Sequence, residues 1–214
     1  MSAISTGPAE ARSRHDASAY SDAQVAALAA RVERLEAIEA IRALKAHYGA
    51  LADAKYGGDY RKLDAQALAD IARQQAACFT ADAVWAGGNG FGGDLVGREA
   101  IERWFLVSPW RFAMHYYVSE TLKVDLARGV ARANWRLMQV ALREGADTRA
   151  GALWLGAVTT EHYRRDATSG LWLISYMKFE ALHMMTLADG PLPIASNFAD
   201  LDALRVARTE DNQS

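Results

Sequence analysis

Few residues of this sequence combine reactive chemistry with a position that shields them from water. His115 sits in Met114-His115-Tyr116-Tyr117, where strand alternation puts His115, Tyr117 and Ser119 on one face and Tyr116, Val118 and Glu120 on the other. An imidazole changes charge near neutral pH, so on an inward face it suits proton transfer. Tyr48 continues the apolar stripe of an N-terminal helix. Asp53 follows five residues later, about 140° further round a helix of 3.6 residues per turn, near the edge of that stripe. Gln139 is the one polar residue on the strand face Ala131, Ala133, Trp135, Leu137, Gln139 and Ala141, where the alanines leave room for a ligand. Lys178 shares a face with Trp172, Ile174, Tyr176 and Glu180, which puts it at the mouth of a pocket or inside one with a partner. Each residue also has a packing explanation. His115 suits a hydrogen-bonded core position, Asp53 a helix-end surface carboxylate and Tyr48 plain packing. Most of the tryptophans suit the core.

The elements that must position these residues are legible in part. Leu28, Val32, Leu35, Ile38, Ile41, Leu44, Tyr48 and Leu51 recur at spacings of three and four, which predicts a helix over 22–56 with Ser21 as its cap and Gly57-Gly58 as its stop. A second helix is predicted over 64–78, a short strand over 83–85 and a third helix after Gly97 with Ile101, Trp104 and Phe105 as its stripe. Four long strands follow over 112–125, 130–143, 149–164 and 171–187, with turns at 126–129 and 166–170. Helices followed by a meander of long strands make an α+β pattern, a strongly curved antiparallel sheet packed around the N-terminal helices. Residues 1–20 read as a flexible arm, 21–187 as one domain and 188–214 as a tail that crosses or caps a neighbour.

The bulk composition narrows the function classes. The chain has 214 residues, is 51% hydrophobic and 23% charged, and carries a net charge of -2 with no basic block, which argues against nucleic acid or an anionic membrane as partner. Cys78 is the one cysteine, so no internal disulfide forms. No apolar run reaches the ~20 residues of a membrane span, and the first 20 residues have no apolar signal core, so the expected location is the cytoplasm. The stretch Gly87-Gly88-Asn89-Gly90-Phe91-Gly92-Gly93 lacks the Lys-Ser/Thr of a phosphate loop and reads as a mobile loop at a pocket mouth. No metal is expected: there is no H-x-H or H-E-x-x-H, and His15, His47 and His162 are poorly set for joint ligation.

Taken in order, Tyr48-x4-Asp53, the run Cys78-Phe79-Thr80-Ala81-Asp82-Ala83-Val84-Trp85, Gly97, Met114-His115-Tyr116 and Leu171-Trp172-Leu173-Ile174 resemble the nuclear transport factor 2-like superfamily in its SnoaL-like branch, over roughly residues 35–187. The resemblance implies an α+β cone with a deep pocket, forming homodimers or homotrimers. Within the branch it is similar to dehydratase-type enzymes such as scytalone dehydratase and bile acid 7α-dehydratase. Those pair a helix Asp with a strand His and add tyrosines. By this resemblance Asp53 and His115 are the acid–base pair, Tyr48 the supporting tyrosine, and Lys178 stands roughly where the bile acid enzyme has an Arg. The pattern fails on the adjacent strand, where those enzymes carry a second His or an Asp and this chain offers Gln139 or Met138.

An Asp–His pair in an apolar pocket supports eliminations without a cofactor, because the carboxylate fixes the tautomer of an imidazole that takes and returns a proton. The resemblance therefore implies a cofactorless lyase acting on a hydrophobic aromatic or polycyclic molecule, by dehydration or by carbon–carbon cleavage such as formaldehyde release from lignin-derived diarylpropanes. His115, Asp53 and Tyr48 are the expected catalytic residues; Lys178, Gln139, Trp135, Tyr117, Trp85 and Tyr176 are the expected substrate-binding ones. An isomerase or cyclase, a ligand-binding or assembly module, and a β-subunit-like partner of an aromatic-ring dioxygenase are the alternatives.

Overall fold

The computed structural model describes residues 20–87, 92–144 and 151–186. The two ends expected as an arm and a tail, and the centre of the glycine-rich stretch at 88–91, lie outside the described residues. The chain divides into two units, at residues 1–33 and 34–214. In the first, residues 20–33 are exposed throughout and supply the opening turns of helix α1 (Asp22–Asp53). Leu28 and Val32, which keep the apolar period of the predicted helix, are exposed, as is Leu35 just beyond. Burial on α1 begins at Ala37 and continues through Ile41, Lys45, Tyr48, Leu51 and Ala52.

The second unit follows α1 with α2 (Ala65–Ala76), β1 (Phe79–Ala86), β2 (Leu95–Val96) and α3 (Arg98–Leu106), then β3 (Trp110–Asp125), β4 (Val130–Arg143), β5 (Ala152–Arg165) and β6 (Trp172–Thr186). The Asp64 side chain caps α2 by accepting from the Ala67 N–H at 2.9 Å, satisfying an orphan donor of the first turn. The six strands form one sheet in the order β2-β1-β6-β5-β4-β3. The meander β3 to β6 is antiparallel as expected, but β1 lies parallel to β6, so the sheet is mixed. One sheet face and the helices share a single apolar core, including Ile41 and Tyr48 of α1, Ala72 of α2, Ile101 and Phe105 of α3, and Trp135 and Leu137 of β4. Each large side chain buried there contributes about 1.5–3 kcal/mol.

Bulges decide which residues meet the helices. On β4 alternation is unbroken: Ala131, Ala133, Trp135, Leu137, Gln139 and Ala141 are buried and the residues between them, to Met138, exposed. On β3 the inward phase of Ala113, His115 and Tyr117 breaks between Val118 and Thr121, with Ser119 at φ +51°. Ser119 is therefore exposed rather than sharing the face of His115, and Glu120 takes the inward phase to meet Arg42 of α1 at 2.6 Å. On β6 the register slips opposite His162 and Tyr163, leaving Ser175 as the extra residue. Trp172 and Ile174 point inward before the slip, and Met177 and Phe179 after it.

Gly97 opens α3 at φ +88°, ψ 149°, a conformation that side chains strongly disfavour. Gly97→Ala is expected to destabilise the protein by about 1–3 kcal/mol through backbone strain alone, since the added Cβ would make only an ordinary contact, 3.6 Å from the Ala81 carbonyl oxygen. Thermal denaturation checks this.

Candidate active site

Helix α1 ends at Asp53, and the register of β3 brings His115 against it. Asp53 Oδ1 accepts two hydrogen bonds from His115, from its backbone N–H at 2.9 Å and from ring Nδ1 at 2.7 Å. A carboxylate offers only acceptors, so this contact puts the ring proton on Nδ1 and leaves Nε2 with a free lone pair. His115 lines a cavity of about 260 Å³; Asp53 is not among the residues lining that cavity and instead lines a neighbouring depression that His115 also borders. The carboxylate thus steers the imidazole from behind without reaching the cavity. Burial lowers the His115 pKa below its ordinary 6.5; the hydrogen bond and charge of Asp53 oppose the shift, and Lys55 and Lys45 reinforce it. The ring is accordingly neutral at pH 7, the form that can accept a proton.

The cavity wall is mainly aromatic and aliphatic, with Trp85, Trp104, Phe105, Leu137 and Phe179 among its residues. Trp85 stacks on Phe179 with ring centroids 6.0 Å apart. Tyr48 and Tyr117 also line it, with ring centroids 6.0 Å apart. Burial raises both phenol pKa values, so both hydroxyls stay protonated and can donate. The Tyr117 ring lies nearly parallel to that of His115, with 6° between planes. Gln139 lines the cavity opposite His115 on the neighbouring strand, and its Nε2 has no partner among the described residues.

Three residues expected from the sequence to bind substrate lie elsewhere. The Ser175 bulge turns Tyr176 and Lys178 to the outer face of β6. There Tyr176 stacks on His162 at 4.8 Å, and Lys178 pairs with Glu180 at 2.9 Å, so neither lines the cavity. Trp135 is inward-facing but does not line the cavity; it borders the depression beside Asp53 and donates from Nε1 to the Tyr163 hydroxyl at 2.9 Å.

Two lysines that the sequence reading passed over are buried at the site. Lys45 is 1% exposed; its Nζ contacts Glu161 Oε1 at 2.5 Å and lies 3.5 Å from the centre of the Tyr117 ring. Lys55 is 5% exposed and lines the cavity, with Nζ 5.0 Å from the centre of the Phe105 ring. The spacing carried a signal for both. Lys45 stands three residues before Tyr48 and Lys55 seven after it, intervals that return to the same helical face.

The SnoaL-like domain profile matches residues 33–178, the stretch that carries Tyr48, Asp53, Lys55, His115, Tyr117 and Gln139. This chain belongs to the SnoaL-like domain family. No curated protein matches it in sequence. Among solved structures the SnoaL-like chain is similar to LinA, with a TM-score of 0.57 and 17% identity over 74% of this chain and 94% of that one. A type 2 hexachlorocyclohexane dehydrochlorinase gives 0.56 and 16%, over 77% and 99%. A candidate scytalone dehydratase from Novosphingobium aromaticivorans gives 0.55 and 14%, over 76% and 97%. At these identities the likeness establishes a shared nuclear transport factor 2-like α+β fold. Among the described residues no helix is long and apolar enough to cross a membrane, and no group of three His, Cys, Asp or Glu is placed to hold a metal ion.

Proposed function

We propose that this SnoaL-like protein is a cofactor-independent lyase acting on a hydrophobic, aromatic or polycyclic small molecule. The observation that carries the proposal is the neutral His115 ring, bonded through Nδ1 to Asp53 while it lines an apolar cavity. His115 Nε2 takes a proton from a substrate C–H, the electrons form the new double bond, and the resulting imidazolium gives its proton to a departing hydroxyl, which leaves as water. In the carbon–carbon variant the proton comes from a hydroxyl, the adjacent C–C bond breaks to leave a carbonyl fragment, and the proton returns to the carbanion. Asp53 stabilises the imidazolium in both, and the hydroxyls of Tyr48 and Tyr117 donate to substrate oxygen. Dehydrochlorinase and dehydratase are the activities named for proteins of similar fold, and both are eliminations of this type.

Incubating the protein with hydroxylated aromatic and steroid compounds, and following loss of water or formaldehyde by mass spectrometry, tests the proposal. Conversion by wild type but not by His115→Ala supports it; tight binding without conversion across the panel overturns it in favour of a binding module. A pH dependence follows from the burial of His115. The base must be unprotonated, and its pKa is held below 6.5, so kcat/KM is expected to rise with pH along a limb centred below 6.5 and to be level by pH 7. In Asp53→Asn the carboxylate that favours the charged ring is gone, so the same limb should move to still lower pH. A limb centred above 6.5 in wild type would contradict this assignment.

A further inference from the structure

We propose that Lys55 anchors an anionic oxygen of the substrate, so that the ligand is an aromatic carboxylate or phenolate rather than a neutral hydrocarbon. The inference deepens the lyase reading, on which it rests for treating the cavity as a substrate site, by naming the substrate class.

Lys55 follows the end of α1 by two residues, in the turn that leads to the Tyr56–Lys62 bridge, and this turn directs it into the cavity wall. Its side chain is almost wholly buried, yet among the described residues no carboxylate or carbonyl lies within bonding reach of Nζ. Lys62, nearby, is provided for differently: it bonds the Ser108 carbonyl at 2.8 Å and pairs with Glu144 at 2.8 Å. Lys45 has Glu161. A buried ammonium with no bonded acceptor and only the unbonded charge of Asp53 near it is costly, and the face of Phe105 at 5.0 Å offsets only part of that cost.

The surrounding polar groups fit the same ligand. Gln139, 4% exposed, lines the cavity with Nε2 unpartnered, adding a second buried donor. Between these donors the wall is apolar, with Trp85, Trp104 and Phe105 suited to a flat ring. Burial lowers the Lys55 pKa to about 8, the charge of Asp53 opposing the shift and that of Lys62 adding to it. The amine is thus mostly protonated at neutral pH and ready to meet an anion, and a charge-assisted bond in a dry cavity is stronger than the same bond in water.

Binding by calorimetry of two matched pairs tests the inference: 2-naphthoate against 2-naphthamide, and 2-naphthol against 2-methoxynaphthalene. The acid is expected to bind the wild-type protein about ten-fold or more tighter than the amide. Lys55→Met should close that gap and Lys55→Arg should restore part of it. A gap confined to the naphthol pair would also support the anchor and assign it to a phenolate. No gap in either pair, or a gap that survives in Lys55→Met, overturns the inference. Wild type alone can deliver the first of these outcomes, so a failure of the variant to fold does not rescue the idea. The test is separate from the lyase reading, because His115→Ala should keep the gap: loss of turnover with the gap intact spares the anchor, and turnover with no gap spares the lyase.

Discussion

Replacing His115 with alanine is expected to lower kcat by about 10²–10⁴-fold, the range that a positioned acid–base group contributes, while leaving ligand affinity within a few-fold of wild type. The reasoning is geometric. Of the two groups in the couple, only His115 reaches the cavity, and its Nε2 is the proposed base there. Asp53 acts one step removed, holding Nδ1–H and supporting the positive ring, so Asp53→Asn should also fall by orders of magnitude with KM little changed. Because the two act as one unit, the double variant should be scarcely slower than His115→Ala alone. Additive losses in the double variant would mean that Asp53 does work of its own, which its placement outside the cavity argues against.

What could be read from the sequence, and what could not, follows from where the strands are regular. β4 has no bulge before Gln139, so simple alternation placed Trp135, Leu137 and Gln139 on the inner face. His115 and Tyr117 lie in the regular stretch between the two irregularities of β3, at Trp110/Phe112 and Val118/Thr121, and were likewise legible. On β6 one extra residue at Ser175 inverts the phase as far as Phe179, before a second slip at Glu180, which is why Tyr176 and Lys178 look outward while Met177 and Phe179 line the core. Nothing in the residue types around Ser175 announces that slip, because a bulge reflects the twist demanded by neighbouring strands. The helix stripe failed at its start for a different reason. Periodicity reports which side chains share a face, not whether anything covers it, and Leu28, Val32 and Leu35 keep the period while exposed. Residue type alone gives no hint that Lys45 and Lys55 are buried, since charge usually marks a solvated face; their spacing from Tyr48 is the better guide.

Lys45→Met is expected to cost about 3–5 kcal/mol, the usual penalty for breaking a buried ion pair from one side. Glu161 is 0% exposed and is held by several donors at once: Lys45 Nζ and the Thr159 hydroxyl reach Oε1 at 2.5 and 3.0 Å, and the Tyr163 hydroxyl bonds Oε2. Trp135 Nε1 in turn bonds Tyr163, so the network ties α1 to β5 and β4. Removing the ammonium leaves a carboxylate in a dry interior with only neutral donors. In a protein of this size the loss should lower Tm on the order of 10 °C, read by calorimetry or circular dichroism. The double variant Lys45→Met/Glu161→Gln should recover much of the loss, because the amide keeps hydrogen-bonding capacity for Thr159 and Tyr163 without an uncompensated charge. Burial lowers the pKa of Lys45 against the pull of Glu161, because a dry interior disfavours the charged form. A single variant as stable as wild type would mean that water reaches Glu161 and that the ion pair does not anchor the helix bearing Asp53. Equal damage in single and double variants would instead assign the cost to lost packing of the lysine stem between Tyr48 and Tyr117.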